Sequence, residues 1–253
     1  DEYALGPEEY LDHIAQAKAA VDIPIIASLN GVSSGGWIDF ARRIEAAGAD
    51  ALELNIYFLA TDPEVSSAAV DALYYELVHD IRQAVKLPLA VKLSPNFSAP
   101  AYVAKKLAEA GADALVLFNR FYQPDFDLEN LTVVPHLTLS SPHELLPRLH
   151  WTALLYGRIQ ADLAITGGVH HGTDVIKCMM AGARAAMVAS ALLKHGFAQI
   201  STIIDETEAW MKHGEYESIR QMQGSMSHGN VAEPAAFERA NYIKVLSNYL
   251  SLK

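Results

Sequence analysis

Cysteine is nearly absent. Of 253 residues only Cys178 carries a thiol, so a disulfide framework, a cysteine zinc site and an iron–sulfur cluster on this chain are all excluded. Basic residues are scarce too: 19 Lys and Arg stand against 30 Asp and Glu, a formal net charge of −11. An acidic chain is a poor duplex binder, because phosphate affinity comes from Lys and Arg, and no nucleic-acid partner is expected. No apolar run reaches the ~18 residues that a membrane-spanning helix needs. The acidic opening Asp1-Glu2-Tyr3 lacks the apolar core of a signal peptide and an initiator Met. A cytoplasmic protein without a membrane partner is expected, and the chain is expected to begin partway through a longer gene product.

What is present is a sizeable core, 51% hydrophobic, laid out as a repeat. Gly48-Ala49-Asp50-Ala51-Leu52 recurs as Gly111-Ala112-Asp113-Ala114-Leu115 and, more loosely, as Gly182-Ala183-Arg184-Ala185-Ala186. In each, Gly stops a helix and a short apolar run follows as a buried strand. A second series interleaves with it: Ile23-Pro24-Ile25-Ile26, Leu87-Pro88-Leu89-Ala90 and Ala161-Asp162-Leu163-Ala164. The unit is strand–helix–strand–helix, three times over.

Strands are expected at about 25–30, 51–55, 89–94, 114–118, 162–166 and 185–189. Helical spacing links Trp37, Phe40, Ala41 and Ile44 behind a Ser33-Ser34 cap, and Val70, Tyr74, Leu77, Val78, Ile81 and Val85. Ser141-Pro142-His143-Glu144 reads as a capping box. Alternating strands and helices mean a parallel sheet covered by helices. The fold class is therefore α/β, a TIM (β/α)8 barrel whose first two strands are missing from this chain; an open doubly wound sheet is the alternative. The barrel domain is expected over 1–224, lacking its N-terminal repeat, and a linker with a C-terminal helix over 225–253. Roughly 197–213, 215–223 and 233–250 read as helices. Thr132–Val134 and Leu137–Leu139 read as a small hairpin.

Barrel active sites lie at the C-terminal ends of the strands. Those ends hold Ser28 and Asn30, Asn55, Lys92 and Ser94, Asn119, Thr166-Gly167-Gly168, and Ala189-Ser190. Lys92 follows an apolar run, and a cation there faces either an anionic ligand or developing negative charge. Asn55 and Asn119, at matched ends, suit a planar polar ligand. Gly167-Gly168 before a helix forms a phosphate-loop candidate, completed by Ala189-Ser190. Carboxylates are missing from these ends, so no metal is expected. His170-His171 reads as a solvated turn and Cys178 as packing.

Ala51-Leu52-Glu53-Leu54-Asn55, Ala90-Val91-Lys92-Leu93-Ser94-Pro95, Leu115-Val116-Leu117-Phe118-Asn119-Arg120, Thr166-Gly167-Gly168-Val169, Ala189-Ser190-Ala191-Leu192 and Tyr216-Glu217-Ser218-Ile219 occur in this order. Together they resemble the dihydroorotate dehydrogenase family, on its class 1, "dihydroorotate dehydrogenase-like" side, over about residues 8–224. The resemblance implies FMN at the barrel mouth, oxidation of a CH–CH group in pyrimidine biosynthesis, a small-molecule substrate and a homodimer. It implies that Gly167, Gly168, Ala189 and Ser190 hold the flavin phosphate. Lys92 would contact the ring as the catalytic cation, Asn55 the flavin or substrate, and Asn119 the substrate.

One position departs from the family. Its catalytic Cys or Ser lies three residues after Asn55, where this chain has Phe58, with Leu59 and Ala60 in place of the accompanying Pro and Asn. The base is therefore unassigned, with Tyr57 and Thr61 nearby but off the motif, and Phe58 is expected as a pocket wall. Two other readings remain open. One is a flavin-free barrel lyase or isomerase on a phosphorylated substrate, with Lys92 as electrophile or Schiff-base amine. The other is a non-catalytic flavin-binding homologue.

Overall fold

The computed structural model describes residues 6–30, 34–56, 58–120 and 123–238. In chain order they form α1 (Pro7–Ala20), β1 (Ile26–Leu29), α2 (Ser34–Ala46), β2 (Ala51–Asn55), α3 (Ser67–Ala84), β3 (Leu89–Leu93), α4 (Pro100–Ala110), β4 (Ala114–Leu117), β5 (Asp125–Asp127), β6 (Thr132–Val134), α5 (Leu145–Leu155), β7 (Asp162–Thr166), α6 (Gly172–Ala181), β8 (Ala185–Met187), α7 (Ser190–His195), α8 (Gln199–His213), α9 (Ile219–Met222) and α10 (Ala235–Glu238). The six long-range strands form one parallel sheet in the order β1-β2-β3-β4-β7-β8. Spatial order follows chain order without a reversal, so the doubly wound alternative is discarded and the sheet is a partial (β/α) barrel.

Strand alternation sorts the side chains. Leu52, Leu54, Leu89, Val91, Leu93, Leu115, Leu117, Leu163 and Ile165 are buried in cores shared with the helices. The opposite face carries Ser28, Glu53, Asn55, Lys92 and Thr166 among small residues such as Ala90, Ala114 and Ala164. The strands are thus sealed by helices on one face, not buried on both as their apolar runs suggest. The inner face is small and polar, and partly open.

The Gly-Ala-Asp repeat has a mechanical explanation. Gly48, Gly111 and Gly182 all have positive φ, at 89°, 114° and 116°. In the first two copies the Asp then ties the preceding strand and helix together; the third copy has Arg184 in its place. Asp50 accepts from the Ile25 amide and pairs with Lys18 of α1; Asp113 accepts from the Leu89 amide and pairs with Arg82 of α3. The Lys18 hydrogen bond holds the Asp50 carboxyl below its ordinary range, helped by the Ile25 amide. Gly182 also lies flat against Tyr156, whose Cδ2 would be 2.3 Å from an added Cβ. Gly182→Ala should therefore cost about 2–4 kcal/mol, from left-handed strain plus a ring clash. A urea midpoint equal to wild type would contradict this account.

Several expectations need correction. Thr132–Val134 does form a hairpin, but its partner is Asp125–Asp127 and not Leu137–Leu139. Only 219–222 is helical within 215–223. Residues in the expected linker run along the barrel: Met226 donates to the Met180 carbonyl and His228 to that of Ala153, and just before them Gly224 donates to that of Met179. The capping box at Ser141 stands, with the Ser141 amide donating to Glu144 Oε1 at 3.1 Å. Ser33, Tyr57 and residues 239–250 of the expected C-terminal helix lie outside the described residues.

Candidate active site

The strand ends converge on a cleft of about 150 Å³ lined by Lys92, Phe118, Asn119, Arg120, Ser140, Thr166–Val169, Met187, Ala189 and Ser190. Six of the seven expected positions meet there: Lys92, Asn119, Gly167, Gly168, Ala189 and Ser190. The seventh, Asn55, is joined to them by Asn119, whose Nδ2 donates to Asn55 Oδ1 at 2.7 Å. Asn119 is itself fixed by its amide, which donates to the Leu93 carbonyl at 2.7 Å.

Lys92 is not a lone cation. Its Nζ lies 2.7 Å from Glu53 Oε1, with side chains 15% and 7% exposed respectively. Ser28 Oγ donates to the same oxygen at 2.8 Å. The expectation that no carboxylate sits near the strand ends is corrected here. Glu53 is two residues before the end of β2 but faces the same side as Asn55, because strand side chains alternate.

The glycine loop takes the shape expected of it, but the helix behind it does not serve as expected. Gly167 and Gly168 have φ of 89° and 83°. An added Cβ at Gly168 would lie 2.4 Å from the Leu145 amide nitrogen. The N-terminus of α6, however, is already capped by carboxylates: Asp174 Oδ2 accepts from the His170 and His171 amides, and Glu206 Oε2 from that of Gly172. The other donors around the cleft are the loop amides and the Ser140 and Ser190 hydroxyls, and two of those amides are already engaged. There the Ser140 amide donates to Ser190 Oγ at 3.0 Å, and the Gly168 amide donates to Ser140 Oγ at 3.3 Å.

The two histidines part company. His171 is exposed, whereas His170 is 7% exposed, with Nε2 lying 3.3 Å from Ser140 Oγ. The solvated-turn reading holds for His171 and fails for His170. Cys178 is fully buried and its thiol is pushed up to about 12, chiefly by burial. Its stabilising contribution is therefore fully present below the unfolded value, near 9, and is lost as pH rises towards 12. Alkylation of Cys178 in the native protein at pH 8 should be negligible and should become fast in denaturant; rapid native labelling would refute the burial.

Arg120, Ser140 and Arg148 were not singled out from the sequence. Arg120 lines the cleft with its charge spent on Glu144, Nε to Oε2 at 2.8 Å. Arg148, 7% exposed, donates to the Thr166, Glu144 and Phe118 carbonyls, pinning the ends of β4 and β7. Phe58 does not line the cleft. It is 43% exposed on the segment leaving β2. Among the described residues no group of three or more His, Cys, Asp or Glu could hold a metal ion, and no helix is long and apolar enough to cross a membrane.

A parallel barrel sheet with cation, amides and a glycine loop at its strand ends is the layout of an α/β-barrel ligand-binding protein. Within that class the chain belongs to the dihydroorotate dehydrogenase family, whose model matches residues 4–211. It is 32% identical over 183 residues to dihydroorotate dehydrogenase A (fumarate) of Lacticaseibacillus paracasei, a match covering 67% of this chain and 60% of that protein. It is 28% identical over 218 residues to the catalytic subunit of dihydroorotate dehydrogenase B (NAD(+)) of Methanothermobacter thermautotrophicus, covering 80% and 69%. A putative dihydroorotate dehydrogenase A (fumarate) of Aeropyrum pernix is 26% identical over 233 residues, covering 87% and 72%. The chain thus spans about 60–72% of the length of these relatives. The family is one of FMN-dependent oxidoreductases of pyrimidine biosynthesis.

Proposed function

We propose that the protein is an FMN-dependent oxidoreductase that acts on a CH–CH group in the manner of dihydroorotate dehydrogenase, on a related small cyclic or unsaturated compound. The observation that carries this reading is the meeting of Lys92, Asn119 and the Gly167–Gly168 and Ser190 loops in one cleft, with Asn55 bonded to Asn119. The donor set suits FMN: amide and hydroxyl donors for a phosphate at one side, and one ammonium for a redox ring at the other. FMN, when bound, supplies the hydride acceptor. Gly167, Gly168, Ala189 and Ser190 would hold its phosphate, and Lys92 would lie against its ring. Asn119, braced by Asn55, would orient the amide or carboxylate of the substrate. A cytoplasmic homodimer belongs to the same proposal, supported by the family resemblance.

The full-length protein, mixed with FMN and desalted, should retain the flavin and its visible absorbance. A protein that stays colourless would overturn the reading.

The flavin-free alternative is weakened by the Glu53 contact. A Schiff-base amine must be free to reach a carbonyl carbon, and Lys92 Nζ is held 2.7 Å from Glu53 Oε1 instead.

Phe58 bears on the substrate. A correctly placed general base contributes roughly 10²–10⁴-fold. Phe58 is 43% exposed and lacks the family's Pro and Asn beside it, so a thiol there is not expected to act as the base. Phe58→Cys should leave dihydroorotate turnover within about twofold of wild type in steady-state assays with an artificial acceptor; a gain of about 100-fold would show that only the base is missing.

A further inference from the structure

Glu53 calls for an explanation that the proposed function does not supply. It does not line the cleft, yet it is a carboxylate only 5% exposed in the interior of a barrel sheet. Stability is a poor reason for it, since a buried ion pair is often no better than apolar residues of the same volume. Its contacts are more informative. Ser28, Glu53 and Lys92 come from three adjacent strands, in a register that pairs Ser28 with Glu53 and Asn55 with Lys92. Ser28 Oγ and Lys92 Nζ both donate to one oxygen, Glu53 Oε1. The carboxylate is thus anchored from β1 while it holds the ammonium of β3. Lys92 lines the cleft; Glu53 stands behind it.

We propose that Glu53 is a positioning and charge-compensating residue for Lys92, which sets how strongly the site favours negative charge on a bound redox ring. This rests on the FMN reading above. An ammonium has three donor hydrogens. Directing one at Glu53 fixes the amine, leaving the others to face the cleft. The carboxylate also cancels most of the cation's field at a ring beyond it, so the pair presents an oriented donor with little net charge. Removing the carboxylate's charge while keeping its acceptor oxygen leaves a full positive charge beside the ring, which makes reduction easier.

The test is the midpoint potential of FMN bound to the full-length protein. Glu53→Gln keeps an oxygen for Lys92 and Ser28 to donate to and should favour the reduced form about tenfold, a rise of about 30 mV for a two-electron couple. Glu53→Asp keeps the charge and should stay close to wild type, which a mere packing role would not predict. FMN bound by Glu53→Gln at an unchanged potential overturns this inference and leaves the functional reading intact; wild-type protein that binds no FMN overturns both. If Glu53→Gln does not fold, the double variant Lys92→Met/Glu53→Gln carries the test, because neither buried charge remains. A compensated pair predicts a potential within about 30 mV of wild type, whereas a hundredfold disfavouring of reduction, about 60 mV, would show that Glu53 does not offset Lys92.

Discussion

Lys92→Met should lower turnover by about 100-fold or more and destabilise the fold by about 3–5 kcal/mol, because one side chain serves the cleft and a buried carboxylate together. The stability loss follows from what is left behind. Glu53, 5% exposed, would keep Ser28 as a hydrogen-bond donor and lose the ammonium at 2.7 Å. An orphaned buried carboxylate must either stay charged at high cost or take up a proton. The turnover loss follows from the missing donor at the cleft wall. The two effects separate in the double variant Lys92→Met/Glu53→Gln. With both charges gone, urea titration should recover most of the lost stability, while turnover stays low. A single variant as stable as wild type would mean that Glu53 is neutralised by something other than Lys92. A double variant with restored turnover would remove Lys92 from the chemistry.

The repeat was the most legible part of the chain. Gly-Ala-Asp stops a helix, ties down a strand start and begins the next strand, all within a few residues, so composition and spacing reveal it. Strand limits fell within two residues for all six sheet strands, from about 25–30 against Ile26–Leu29 to about 185–189 against Ala185–Met187. The strand-end residues were legible because barrels place ligands there. Glu53 was not, although it stood in plain view in Glu53-Leu54-Asn55. Its partners are 25 and 39 residues away, and only the register of three strands brings them to one oxygen. His170 was hidden for the same reason: the partner of its ring, Ser140, lies 30 residues earlier in the chain. The hairpin went wrong because Val and Leu runs of three residues carry no pairing information of their own; the observed partner, Asp125–Asp127, is polar. The role assigned to α6 failed because the carboxylate on Gly172 comes from Glu206, on another helix.

Arg148→Met should be among the most destabilising single changes in the barrel, at about 3–5 kcal/mol, although Arg148 makes no ion pair within 4.0 Å among the described residues. Burial lowers its pKa, as expected for a charge that gives up water for backbone carbonyls. Those carbonyls are the substance of the argument. Thr166 ends β7, Phe118 follows β4, and Glu144 precedes α5, so one planar guanidinium joins three chain segments at the cleft floor. A methionine fills much the same volume and supplies no donor, so the buried Phe118 contact and the part-buried Thr166 and Glu144 contacts are all lost. Because Thr166 leads directly into Gly167 and Gly168, the loss should reach the cleft: FMN affinity should fall about tenfold or more in a variant still folded at low temperature. Arg148→Lys keeps the charge but not the fork, and should recover only part of either loss. Equal recovery by Lys and Arg would mean that charge alone matters there. A methionine variant within about 1 kcal/mol of wild type would mean that water satisfies the three carbonyls equally well.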